Sequence, residues 1–300
     1  MTLPELNRSF STDEDCREIL TKLRWPEGVE CPRCRNRNVW WVQSRKQFTC
    51  SECSYQFSVM TGTIFNDSHL PLPIWFMAVL LLVEARKGMS AMQLKRTLWG
   101  TDRGSYKTAW YLCHRIRRAM AQIDRPMLDG TVEMDETYVG GKQRGYGSGW
   151  RGERHTKEVV VGIRQRNGDL RFFHAEDAKT GTLARYIQEN ISTDVDVIVT
   201  DELPAYKKAV GGVKHETVNH TRKEYVRLGT DIHTNTIESA FSLLKRGIMG
   251  TWHKISAKHL QAYLDEMTFR FDRRKRSDLF IDTLRHMVTA DPLTFERLTA

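Results

Sequence analysis

The sequence predicts a mixed α/β fold, with one large domain of strands and helices behind two smaller modules. Three observations lead there. From Thr131 to about Arg276, strand-like segments alternate with helical ones. Residues 31–65 hold four of the six cysteines, as two CxxC pairs among short, aromatic-rich, strand-like pieces. Residues 73–123 read as helices.

Residues 1–30 form a helical lead, in which "STDEDCREILTKLRW" opens with Ser11 as the expected N-cap and acids in the first turn. Its start lacks the basic and apolar segments of a signal peptide. The longest apolar run, Ile74 to Val83, is half of the roughly 20 residues a membrane span needs. A membrane protein is therefore not expected. A reducing cytoplasm is, and there paired cysteines suggest a metal before a disulfide. The net charge of +9 favours polyanionic partners, nucleic acid first.

In the 31–65 module, Cys31 and Cys34, then Cys50 and Cys53, stand fifteen residues apart. Two such knuckles can set four thiolates tetrahedrally around Zn²⁺, which accepts four sulfurs readily. So small a module has little core, so the metal supplies most of its folding energy, on the order of 10 kcal/mol. Trp40, Trp41, Phe48, Tyr55 and Phe57 are expected to cover the site, while Cys16 and Cys113 fall in helical patterns as plain buried thiols.

Residues 73–123 form the candidate helix-turn-helix region. A helix opens at Ser90, a glycine-containing turn follows, and a second helix opens near Ser105. Tyr106, Lys107 and Thr108 lie at the second helix's N-terminus, where recognition helices meet base edges. His114, Arg115, Arg117 and Arg118 continue along it as candidate phosphate contacts.

The large domain, 131–276, reads strand by strand as 131–139, 157–165, 170–176, 195–201 and 213–218, with Asn167-Gly168 centring a hairpin turn. Helices are expected at "TGTLARYIQENI", "ELPAYKKAV" and "HTNTIESAFSLLK". The loop at 140–157 is glycine-rich and basic; Lys142, Arg144 and Arg151 in it are candidate phosphate contacts. In the first strand, Glu133 and Asp135 alternate with Val132 and Met134, giving one acidic face. The fourth strand is continuously apolar and ends at Asp201. A carboxylate at the mouth of a buried strand is costly unless it is paired or bound to metal. Two aspartates on adjacent strands and one acid from a helix packed across them make an oxygen-rich site for Mg²⁺ or Mn²⁺.

These residues resemble a known family. Asp135, Asp201 and Glu238, the last two about 35 residues apart, are similar to the DDE triad of ribonuclease H-like transposases. Over residues 20–276 the chain resembles insertion-sequence transposases of the ISXO type. The matching stretches are "CPRC…CSEC", "FSVMTGTIF", "KGMSAMQLKRTLW…YKTAW…HRIRRAM", "VEMDETYVGGK", "VIVTDELPAY" and "HTNTIESAFSLLKRGIMGTWHKIS…YLDEMTFRFDRR". The resemblance implies a ribonuclease H-like mixed sheet flanked by helices, preceded by a zinc ribbon. It further implies metal-dependent cleavage of double-stranded DNA at transposon ends, strand transfer to a target, a homo-oligomer on the DNA, and a cytoplasmic, nucleoid-associated place in a prokaryote. A non-catalytic DNA-binding regulator descended from a transposase is the alternative.

The third acid lies on a helix whose Asn235, Glu238, Ser242 and Lys245 fall on one face. Some family members carry asparagine at the third position. Glu238 is chosen because a carboxylate holds Mg²⁺ better than an amide, with Lys245 toward a phosphate and Asn235 orienting Glu238 or the DNA. Glu136 and Glu202 are expected to point away, Glu133 to support the site weakly, and His233 to hydrogen-bond at the helix start. Arg246, Lys254, Lys258, Arg270, Arg273, Arg274, Lys275 and Arg276 make a basic flank suited to DNA; residues 277–300 form a helical tail.

Overall fold

The structure, a computed structural model, describes residues 1–121, 125–140, 157–219, 226–227 and 229–300. The chain forms two compact units, Met1–Gln122 with Arg273–Ala300, and Ile123–Asp272. In the first, α1 (Leu3–Ser9) and α2 (Asp13–Arg24) open the chain. Thr12, rather than Ser11, caps α2. Its hydroxyl accepts the Asp15 N–H at 3.2 Å, and the Asp15 carboxylate accepts the Thr12 N–H at 3.0 Å. Strands β1 (Val39–Val42), β2 (Gln47–Cys50) and β3 (Gln56–Phe57) form an antiparallel sheet in that order. α3 (Leu72–Glu84) is apolar nearly all round and mostly buried.

α4 (Ala91–Trp99) and α5 (Tyr106–Met120) begin where their caps predict. The Ser90 hydroxyl accepts the Gln93 N–H at 3.1 Å, and the Ser105 hydroxyl accepts the Lys107 N–H at 3.2 Å. The turn between them needs Gly104, whose φ is +71° and where a Cβ would come within 2.8 Å of the Trp99 ring.

The second unit is a five-stranded sheet built from β4 (Thr131–Val139), β5 (Glu158–Gln165), β6 (Leu170–Ala175), β7 (Val197–Thr200) and β8 (His215–Thr217). Its order is β6-β5-β4-β7-β8. The first three strands are antiparallel, and β4, β7 and β8 run parallel. This is a mixed sheet, as the sequence predicts. Helices α6 (Thr180–Asn190), α7 (Pro204–Ala209), α8 (Asn235–Gly247) and α9 (Ala257–Arg273) flank it, with a π-helical turn at Ile248–Trp252 after α8.

Strand alternation divides the apolar residues between two cores, one on each face. Val132, Met134, Val161 and Ile163 pack with Leu183 and Ile187 of α6 and Tyr206 of α7. Val160, Leu170 and Phe172 pack with Ile237, Phe241 and Leu244 of α8 and Leu260 and Leu264 of α9. The face of β4 carrying Glu133 and Asp135 is thus covered by a helix rather than by water. At the hairpin it is Asn167 that takes the left-handed conformation, with φ +62°.

α10 (Leu279–Thr289) and α11 (Phe295–Thr299) belong to the first unit, where α10 packs on α2, α3 and α5. Among the described residues, no helix is long and apolar enough to cross a membrane.

Candidate functional site

The pairing of β4 with β7 ends at Glu133 opposite Val199. Asp135 and Asp201 each lie two residues further on, Asp201 just past the end of β7, and the charge of Asp201 reaches Asp135. The Leu203 N–H donates to Asp201 Oδ1 at 3.0 Å as the chain turns into α7. On its other side, Asp135 is paired with Gly162 of β5. A Cβ at Gly162 would come within 2.7 Å of Phe241 and 2.8 Å of Ile237, so the glycine lets α8 press onto the sheet beside Asp135. Glu133 ties down the start of that helix, accepting the Thr236 and Ile237 N–H groups at 2.9 and 3.0 Å.

Between β4 and α8 lies an open cavity of about 540 Å³, lined among others by Asp135, Glu136, Glu238, Ser242, Lys245 and Arg246. Sequence reasoning placed Glu238, Ser242 and Lys245 on one face of α8, and all three line this cavity. Asn235 does not join them. It is exposed at the first residue of α8, and the hydroxyl that donates to Glu238 Oε1, at 3.1 Å, belongs to Thr234. Glu136 borders the cavity, but its carboxylate accepts a 2.8 Å bond from the buried Tyr206 hydroxyl. Glu202 is exposed. His233 stands at the helix start with Nδ1 3.3 Å from Glu133 Oε1.

The acids load the site with unbalanced negative charge. Burial, then the charges of Glu136, Asp201 and Glu238, push the Asp135 carboxyl up to about 7. Burial also raises Glu136, with Asp201 adding to the effect and the Tyr206 hydroxyl opposing it. The Tyr206 phenol is driven well above its ordinary value, first by burial and then by Glu136. Crowded carboxylate oxygens of this kind suit a hard divalent cation, which would relieve the repulsion that holds Asp135 protonated near neutrality. Sequence reasoning did not single out Gly162, Thr234 or Tyr206. The signal for Gly162 was present, because a glycine inside "EVVVGIRQ" marks a close approach to the strand.

In the first unit the four cysteines are positioned to bind a metal ion, with all four sulfurs within 4.8 Å of one another. The Cys31–Cys53 and Cys34–Cys50 sulfurs are 3.6 and 3.5 Å apart. Tetrahedral Zn–S bonds of about 2.3 Å put sulfurs roughly 3.8 Å apart, so the donor set fits zinc. The two knuckles repeat one geometry. Arg35 donates its N–H to the Cys31 carbonyl and Ser54 to the Cys50 carbonyl, each at a φ near +60°. The N–H groups of Cys53 and Glu52 draw the Cys50 thiol down to about 7. Trp25, Phe48, Tyr55 and Phe57 form the ring cluster beside the cysteines. Trp41 packs on Phe48 with ring centres 4.8 Å apart, though it stays 42% exposed, whereas Trp40, on the same edge strand, is 51% exposed and does not cover the site as expected.

Of the recognition-helix residues, Tyr106, Lys107 and Arg118 are exposed and Thr108 is half-buried. The Lys107 ammonium lies 4.1 Å from the centre of the Phe295 ring. Arg115 is not available to a phosphate. It is buried, donates to the Asn66 carbonyl at 2.5 Å and lies over the Trp75 and Tyr111 rings. His114 and Arg117 are buried too. In the C-terminal flank, Arg246, Lys254 and Lys258 are exposed, whereas Arg270 is buried against Glu266 and Arg273 and Arg276 pair with Asp282. Lys142, Arg144 and Arg151 lie outside the described residues.

Comparison with known proteins adds the following. Residues 127–272 match the ISXO2-like transposase domain, and residues 11–56 match the transposase zinc-ribbon domain. A protein described as an uncharacterized protein in transposable element ISH50 of Halobacterium salinarum is 28% identical over 280 residues, spanning 88% of this chain and 92% of the relative. Among solved structures, the Mos1 strand transfer complex is similar at a TM-score of 0.30 and 11% identity, over 71% of this chain and 75% of that one. The Drosophila P element transposase strand transfer complex follows at 0.28 and 14%, over 78% and 63%.

Proposed function

The chain belongs to the ISXO2-like transposases, with a transposase zinc ribbon ahead of its DDE domain, and on that premise we propose that it cleaves transposon ends and joins their 3′-hydroxyls to target DNA. The observation that carries this reading is the register that sets Asp135 of β4 beside Asp201, just past the end of parallel β7, with Asp135, Glu238 and Lys245 lining one cavity. Asp135, Asp201 and Glu238 would hold Mg²⁺ or Mn²⁺. An ion held by these three carboxylates would supply activation of the attacking oxygen and charge stabilisation of the leaving one in phosphodiester exchange.

The chain's own side chains do the rest. Lys245 and Arg246 at the cavity offer positive charge to the phosphates of the scissile strand, and Thr234 steers the Glu238 carboxylate. Tyr106, Lys107, Thr108 and Arg118 are the residues of α5 placed to meet duplex DNA, with Arg246 and Lys254 as further phosphate contacts. Zn²⁺ would close the four-cysteine module, and the working form is a homo-oligomer on the transposon ends. Asp135→Ala, Asp201→Ala and Glu238→Ala are each expected to abolish metal-dependent nicking of a plasmid carrying the element's terminal repeats. Each should leave binding to those repeats, measured by gel shift, within about threefold of the unsubstituted protein. Binding without any nicking by the unsubstituted protein would instead point to a DNA-binding regulator. Near-normal nicking by Glu238→Ala, together with its loss in Asn235→Ala, would move the third ligand to Asn235.

A further inference from the structure

Glu133 is fully buried, with none of its surface exposed to solvent, yet it is not one of the three acids assigned to the metal. A buried carboxylate persists only where its lone pairs are all used. Here they are. Oε2 accepts the Thr236 and Ile237 N–H groups of α8 at 2.9 and 3.0 Å. Oε1 accepts Nε and Nη2 of Arg166 at 3.1 and 2.9 Å. Arg166 in turn binds the Asp231 carbonyl and carboxylate at 2.7 and 2.6 Å, on the segment that leads into α8.

The spacing gives these bonds a further meaning. Glu133 and Asp135 are two residues apart on one face of β4, while Thr236 and Ile237 immediately precede Glu238 on α8. One side chain therefore joins the strand that carries the first ligand to the helix turn that carries the third. Gly162 sets how closely α8 approaches the sheet, and Arg164 of β5 donates to the Thr236 carbonyl at 2.6 Å. The two Glu133 bonds to consecutive amides are the directional ties that come from β4, the strand that carries Asp135.

We infer that Glu133 is the positioning residue of the metal site, fixing the axial register of α8 so that Glu238 stands beside Asp135. The inference rests on the reading of Asp135, Asp201 and Glu238 as metal ligands, and the test separates the two. The full-length protein is titrated with Mn²⁺, free ion being followed by its electron paramagnetic resonance signal, alongside Glu133→Asp, Glu133→Gln and Asp135→Ala. Glu133→Asp keeps the charge beside Arg166, so it should retain the parent's circular dichroism, but it withdraws the carboxylate by one methylene from the two amides and from Arg166 alike. Glu133→Gln keeps the length and loses the charge, and serves if the aspartate variant does not fold. A folded variant is expected to bind Mn²⁺ about 10- to 100-fold more weakly and to regain nicking at saturating Mn²⁺, which Asp135→Ala does not. Asp135-dependent Mn²⁺ binding of unchanged affinity in a folded Glu133 variant overturns the inference alone. Mn²⁺ binding that is absent from the parent, or unaffected by Asp135→Ala, overturns the metal-site reading and the inference with it.

Discussion

Asp135 sits among three other carboxylates, inside a sheet whose covering helix shuts out most of the water, and its carboxyl is held up near 7 by burial first and by those neighbours second. A folded value above the unfolded one means the group favours folding only while protonated. Its contribution is complete below about pH 4 and is lost as pH rises through 7. Asp135→Asn should therefore raise the melting temperature of the metal-free protein, by about 5 °C or more at pH 8, with the gain shrinking steadily toward pH 4. Thermal unfolding across that range, in chelator-treated buffer, measures it. An equal gain at every pH would assign the effect to something other than charge. Added Mn²⁺ should stabilise the parent protein and not the variant, since the cation relieves the same repulsion. A single residue here trades stability for the chemistry proposed for it.

The position of α8 decides whether its stripe of polar residues faces anything. Gly162→Ala would place a methyl 2.7–2.9 Å from the side-chain tips of Phe241, Ile237 and Phe172, so these packed side chains must shift and carry α8 with them where they have no room. The expected cost is about 1–3 kcal/mol, read from the denaturant midpoint, with nicking reduced more than tenfold because Glu238 moves away from Asp135. An unchanged midpoint would show that the helix yields freely and that the glycine is not needed for close approach. This helix also shows what the sequence discloses and what it conceals. Its apolar spacing, the five strands, and the caps at Ser90 and Ser105 are local patterns, and each is legible without partners. Glu133 is not, because the amides it holds lie more than a hundred residues away. Arg115 misleads for the same reason. An arginine on a helix reads as solvent-facing until the Asn66 carbonyl and the Trp75 ring, both distant in sequence, are brought against it. Trp40 fails in the opposite direction, since an aromatic residue reads as core until its strand proves to be an edge.

Across the whole chain, the five-stranded sheet and the cysteine module rest on different kinds of stabilisation. Residues 123–272 bury an apolar core on each face of a five-stranded sheet. The stretch that holds the four cysteines has three strands of two to four residues and one cluster of rings, too little to order itself in water. Metal binding, on the order of 10 kcal/mol for such a module, would make up the difference. Removing it should therefore act on one part of the molecule. The purified protein is expected to carry one zinc per chain, counted by release with a thiol reagent. A strong chelator, or Cys34→Ser, should abolish the zinc and redshift the fluorescence of Trp25 as its packing on Phe48 and Phe57 is lost. Recognition of the terminal repeats should weaken with it, while the melting transition of the sheet and Asp135-dependent Mn²⁺ binding remain. If the sheet unfolded along with the cysteine module, its stability would depend on the zinc site, and the independence argued from its two cores would be wrong.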